Sequence, residues 1–284
     1  MTVEVVHGVE PGPVVWLSGA VHGDEIVGVE IIRQVLDLLD PRRLAGTVLA
    51  VPIVNVFGFV TGSRYLPDRR DLNRVFPGSE RGSLASRLAR TFMDRVVEPA
   101  AYGIDFHAGS DDRTNLPQIR GNLEDGETRR LAEVFAAPVM MHSETIRGSL
   151  REAAGRLGKR VLLFEGGEPR RFSRFAVEMA VPGTLRVLHA LGMIPVEVVR
   201  APARPSVECV KSHWVRAPRG GVFRMETHLG AVVAKGEPLG VVTDPVAPGG
   251  RAVRSPCDGI VIGHAVNPLV HQGNGLVHVG VVVE

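Results

Sequence analysis

The first residues able to do chemistry are His22 and Glu25 in the phrase SGAVHGDE, three positions apart. An imidazole and a carboxylate at that spacing can turn to one side at the start of a helix, and both are good zinc ligands. Gly19 and Gly23 let the backbone bend around them without steric cost. The pattern alone is weak, because the helix macrodipole favours a glutamate in a first turn whatever its function. His107, at the end of IDFHAGS and 82 positions after Glu25, strengthens it. Asp105 shares a side of the extended chain with His107, where it either fixes the imidazole tautomer or caps a turn. Ligands of mixed His and Glu type would leave a fourth position for water, as a catalytic zinc requires.

Two further segments carry reactive groups. The loop RYLPDRRDLNRVFPG holds Arg64, Arg69, Arg70, Asn73 and Arg74. Arg69 and Arg70 read as solvated. Asn73-Arg74 lies between Leu72 and Val75-Phe76, whose burial would fix the loop, and a guanidinium there can grip a carboxylate through two parallel hydrogen bonds. The apolar run VLLFEGGE ends in Glu165. A partly desolvated glutamate at a strand end can have a raised pKa and act as a base near neutrality; taken alone, it could equally cap the next turn.

The elements that must position these groups alternate through the first two-thirds of the chain. Strands are expected at residues 14–18, 47–54 (with Pro52 marking an edge or bend), 104–107 and 161–164. Helices are expected at 25–39, 83–97, 128–135 and 172–191, the last interrupted near Pro182-Gly183. This alternation predicts an α/β fold with a largely parallel sheet, whose strand ends build the site. After about residue 199 the pattern changes. APARPSVE suits a boundary, and beyond it short β-rich pieces separated by glycine turns predict a small all-β module that closes its sheets. The expected division is 1–199 for the catalytic part and 200–284 for the β module.

Bulk properties exclude several classes. The 284 residues are 44% hydrophobic and 23% charged, which is globular composition. A net charge of +2, with no basic run, gives no case for nucleic acid. The cysteines, Cys209 and Cys257, are too few for a disulfide framework and form no CxxC pair. The N-terminal residues do not read as a signal peptide, and no apolar run is long enough for a membrane span. A cytoplasmic location is therefore expected. Whether the chain forms a homo-oligomer is open.

SGAVHGDE, DLNRVFPG, DFHAG and the strand ending in Glu165 occur in an order that resembles the succinylglutamate desuccinylase and aspartoacylase family of zinc carboxypeptidase-like hydrolases. The resemblance covers most of residues 14–168 and extends into the β module. It implies a carboxypeptidase-like mixed sheet flanked by helices, with a small barrel-sandwich-like domain after it. It further implies one Zn²⁺ per chain, held by His22, Glu25 and His107, and hydrolysis of the amide of a small N-acyl amino acid. By the same resemblance Glu165 is the general base, Arg64 polarises the scissile carbonyl, and Asn73 with Arg74 holds a substrate carboxylate. A zinc carboxypeptidase acting on short peptides, or a non-catalytic zinc-binding relative, would share the ligands.

Two departures from that family's pattern bear on the substrate. Its members place a tyrosine from the C-terminal domain near the substrate, whereas Tyr65 and Tyr102 both precede the β module here. They also carry an arginine before the catalytic glutamate, for which Arg151 and Arg156 are both candidates. The β module resembles a lipoyl or biotinyl carrier fold. However, Met225 has no adjacent lysine and Lys235 lies in the turn VAKGE, so no cofactor attachment is expected. His264, His271 and His278 recur every seven residues, a spacing that alternates faces on strands, and read as structural or surface histidines.

Overall fold

The computed structural model describes residues 1–246 and 248–283. Its first part runs β1 (Glu4–His7), β2 (Glu10–Gly19), α1 (Val27–Leu38), β3 (Ala45–Val51), α2 (Val56–Thr61), α3 (Leu84–Phe92) and β4 (Tyr102–His107). It continues through β5 (Arg113–Gly121), α4 (Gly126–Phe135), β6 (Val139–His142), α5 (Leu150–Arg156), β7 (Arg160–Gly167) and α6 (Arg174–Ala190). The remainder is strands: β8 (Val207–Arg216), β9 (Gly221–Met225), β10 (Val232–Val233), β11 (Pro238–Thr243), β12 (Gly250–Arg254), β13 (Gly259–Ala265), β14 (Leu269–Val270) and β15 (Gly275–Val282).

One sheet of 11 strands dominates, in the order β1-β3-β2-β4-β7-β5-β6-β8-β15-β13-β10. Strands β3, β2, β4 and β7 are mutually parallel. The sheet is mixed rather than largely parallel, because β5 runs antiparallel to β7 and the late strands pair mostly antiparallel. The link from β4 to β5, residues 108–112, is far too short for the crossover that a parallel strand needs.

Strand alternation sorts the core. Val15 and Leu17 of β2 pack with Ile31 and Val35 of α1, Phe135 of α4 and Leu188 of α6. Trp16, between them, packs with Leu49, Phe92 and Ala154 in a second cluster. A sheet buried on both faces accounts for the continuous apolar runs of these strands.

The expected break in the last long helix does not occur: α6 runs through Pro182. A Cβ on Gly183 would stand 2.6 Å from the Phe135 ring, so that glycine serves close packing and tertiary contacts override the local breaker signal. The helix expected over 83–97 is α3 followed by one π-helical turn, Met93–Val97.

The late strands divide between two sheets. Strands β12, β11, β9 and β14 form a separate four-stranded sheet. Of the others, β10 pairs with β13, and β8, β15 and β13 close a ring with strands from before residue 199: β5 pairs β6, β6 pairs β8, β8 pairs β15, β15 pairs β13, and β13 returns to β5. Leu116, Met141, Cys209 and Ile262 share one buried cluster there, with Val282 against it. Closure occurs, but with β5 and β6 contributing two of its strands. Among the described residues no helix is long and apolar enough to cross a membrane.

Candidate active site

Three neighbouring parallel strands bring the reactive groups to one edge. Strand β2 lies beside β4 with Gly19 opposite Phe106, and β4 lies beside β7 with His107 opposite Glu165. His22 follows β2 after a left-handed turn at Ala20 (φ 47°), a conformation that costs a residue with a Cβ and is held here by complete burial. Gly23 has a different task from bending: a Cβ there would lie 2.0 Å from the Gly58 backbone of α2.

His22, Glu25 and His107 are all buried and converge. Glu25 Oε1 is 2.8 Å from His22 Nδ1, Glu25 Oε2 is 2.8 Å from His107 Nδ1, and the two Nδ1 atoms are 3.2 Å apart. A tetrahedral zinc with bonds of about 2.0–2.1 Å places neighbouring donors about 3.3 Å apart. The donor set and its spacing therefore fit such an ion.

The far side of each imidazole meets a carboxylate. His107 Nε2 is 2.8 Å from Asp105 Oδ2, and Asp105 accepts a second bond from Ser18 Oγ at 2.8 Å. His22 Nε2 is 3.2 Å from Asp71 Oδ1, an ionic contact without hydrogen-bond alignment. Burial opposes protonation of His107, yet Asp105 and Glu25 hold its pKa well above the ordinary imidazole value. Burial would likewise raise Glu25, but the two histidines hold it well below the usual carboxylate range. A site this rich in negative charge favours a cation.

Arg64 is fixed at the same cluster. Its Nη1 donates to Glu25 Oε1 at 3.1 Å and to Ser110 Oγ at 2.7 Å, while Nε and Nη2 donate to Asp71 Oδ2. Asn73 Oδ1 accepts from the Leu150 backbone N–H at 2.8 Å, which joins the loop to the start of α5. Arg74 is exposed, with Nη1 on the Asn73 carbonyl.

Glu165 is half-buried, and Asn115 Nδ2 donates to its Oε2 at 2.9 Å. Burial pushes its pKa up; Arg120 opposes that, and the charge of Glu25 adds to it. Arg151 and Arg156 both line an open groove of about 590 Å³. They differ in surroundings. Arg156 is exposed and paired with Glu152. Arg151 is partly buried, its Nη1 has no hydrogen-bond partner among the described residues, and burial together with the charge of Arg120 lowers its pKa to about 10, so it stays cationic at neutral pH.

The sequence reading did not single out Asp71, Ser110, Asn115 or Arg120. Asp71 could have been found: it opens the phrase DLNR and stands behind His22, though without the hydrogen bond that Asp105 makes to His107. Asn115 and Arg120 sit on β5, whose residues show no clean strand alternation, so no local signal marks them.

Residues 11–191 match the succinylglutamate desuccinylase/aspartoacylase catalytic domain. The chain is similar to a succinylglutamate desuccinylase/aspartoacylase of Rhodobacter sphaeroides, with 28% identity and a TM-score of 0.88 over 99% of this chain and 89% of that one. It is also similar to the product-bound ectoine utilization protein EutE (DoeB) of Ruegeria pomeroyi, at 26% identity, a TM-score of 0.87, and coverage of 98% and 88%. A third relative, the N-alpha-acetyl-L-2,4-diaminobutyric acid deacetylase of Halomonas elongata, is 26% identical over 96% of this chain and 83% of its own length. An α/β fold with a mixed sheet and a His-Glu-His cluster at adjacent strand ends thus comes with a match spanning more than half the chain. The protein belongs to the succinylglutamate desuccinylase/aspartoacylase family.

Proposed function

We propose that this chain is a zinc-dependent hydrolase that cleaves the amide of a small N-acyl amino acid. The observation carrying the reading is the convergence of His22, Glu25 and His107 at zinc-ligand spacing, with a carboxylate behind each imidazole. One zinc per chain held by these three side chains would supply Lewis acidity, polarising a carbonyl and lowering the pKa of water.

The remaining steps fall to the chain's own residues. Glu165, held through Oε2 by Asn115, has Oε1 for accepting a proton from the attacking water and passing it to the departing amine. Arg64, fixed by Asp71 and Ser110, directs its guanidinium at the cluster where negative charge develops on the substrate oxygen. Arg74 is open to solvent and can pair with a substrate carboxylate, and the Asn73 amide N–H₂ can assist because its oxygen is committed to Leu150. Between the candidate arginines the surroundings favour Arg151, the one with a free N–H and an electrostatic link to Glu165. We read residues 1–199 as the catalytic part and 200–284 as a β module that shapes the entrance to the site.

The name of the Halomonas elongata relative supports Nα-acetyl-L-2,4-diaminobutyrate as the first compound to test. Zinc-loaded protein should be assayed on it beside N-acetyl, N-succinyl and longer N-acyl amino acids and short peptides. Hydrolysis of at least one N-acyl amino acid well above any peptide is expected. Preferential cleavage of the peptides would replace the deacylase reading with a carboxypeptidase.

A further inference from the structure

We propose that Asn115 is the residue that positions Glu165 for proton transfer, and that the late strand β13 sets the position of Asn115 through Gly263. The inference rests on Glu165 being the base proposed above.

Asn115 occupies an unusual place. On one side it stands opposite Gly167 of β7, and an irregularity in register separates that pair from Gln118 opposite Glu165. On the other side it stands opposite Gly263 of β13, whose own further partner is His278 of β15. Asn115 is buried, and its amide reaches along β7 to Glu165. A carboxylate with two equivalent oxygens and a rotatable stem has no unique orientation unless one oxygen is tied. The 2.9 Å bond from Nδ2 to Oε2 does this, and leaves the other oxygen to handle the proton.

The orientation of the amide has its own cause. A Cβ on Gly263 would come within 2.8 Å of Asn115 Oδ1, 3.1 Å of the Thr114 carbonyl and 3.5 Å of His278 Cβ. Real Cβ atoms do not come within 3.0 Å of a heavy atom elsewhere in the chain, and because Oδ1 is the free end of the Asn115 side chain, it is this amide that would have to move. Glycine at 263 therefore leaves the volume in which the Asn115 oxygen sits while its nitrogen faces Glu165. The contact spans the two parts of the chain. The wall of the β module acts on the candidate base through one side-chain amide, and needs no contact with substrate to do so.

The test is a double-mutant cycle on full-length, zinc-loaded protein, using the N-acyl amino acid hydrolysed fastest in the panel above. Asn115→Ala is expected to lower kcat at least tenfold, with KM within twofold of wild type and zinc content unchanged. Gly263→Ala is expected to lower kcat in the same way. The two together should be no slower than Asn115→Ala alone, because Gly263 acts only through that amide. Multiplying effects, or a wild-type kcat in Asn115→Ala, would overturn the inference. Should Gly263→Ala fail to fold, the kcat and KM of Asn115→Ala still decide. Glu165→Gln separates this inference from the reading beneath it. If that variant keeps its rate, the assignment of the base is wrong; if it is inactive while Asn115→Ala is not, only the positioning role falls.

Discussion

His22 and His107 bring their Nδ1 atoms within 3.2 Å of one another, while each keeps its Nε2 turned to a different aspartate. Two imidazoles held edge to edge in a buried space repel unless something positive is shared between them. Asp105, aligned with His107 Nε2, keeps the Nδ1 of that ring aimed inward, while Asp71 stands behind His22 as an ionic contact.

The first consequence concerns Asp105, the better aligned of the two carboxylates. Asp105→Ala should weaken zinc binding about 10- to 100-fold, the usual cost of losing a carboxylate behind a histidine ligand. Competition against a chromogenic chelator measures this. An affinity equal to wild type would show that His107 is oriented by its neighbours in the fold instead.

Glu165 lies outside the ligand cluster and is held by Asn115. Glu165→Ala should retain about one zinc per chain by elemental analysis and lose roughly 10²-fold or more in kcat. Loss of the metal in this variant would instead make Glu165 a ligand.

Arg74 is exposed and free of any carboxylate partner among the described contacts. Arg74→Ala should raise KM most for substrates with a free α-carboxylate, and little for the corresponding methyl esters. Equal effects on acid and ester would remove it from carboxylate recognition.

His278 gives a prediction about stability. Its ring is stacked on Trp214 (4.5 Å between centroids, 9° between planes), and burial, then Arg120, Arg113 and His213, lower its pKa to about 3. The folded protein keeps this ring neutral, whereas the unfolded chain takes up a proton below about 6.5. Its contribution to stability is therefore complete above pH 6.5 and is lost as pH falls from there towards 3. The loss is on the order of a few kcal/mol. His278→Phe keeps the stack without the titration, so its melting temperature should fall less steeply than wild type between pH 6.5 and 4. Parallel curves would place the acid sensitivity elsewhere.

The cluster of His22, Glu25 and His107 was legible in the sequence because the first two follow a strand with a clear apolar run, His107 ends another, and strand ends share one edge of such a sheet. What sequence reading missed was mostly non-local. Strand β5 carries Pro117 and polar residues at 115, 118 and 120, so it shows no simple alternation, yet it brings Asn115, Gln118 and Arg120 beside β7. The sheet direction depended on the short β4–β5 link, and Pro182 read as a helix breaker because local propensity contains nothing of the Phe135 ring against Gly183. The histidines at 264, 271 and 278 have different environments despite their regular spacing: His271 is exposed, His264 is half-buried and His278 is buried.

The ring of strands shared across residue 199 also constrains how the chain can come together during synthesis. Strand β5 leaves the ribosome long before β13, and until Gly263 arrives the edge of β5 that faces it has open backbone groups. His22, Glu25 and His107 are all made by then. The nascent chain can thus bring the candidate metal cluster together well before the seat of its candidate base is finished, and the contact between Asn115 and Gly263 becomes one of the last that folding delivers.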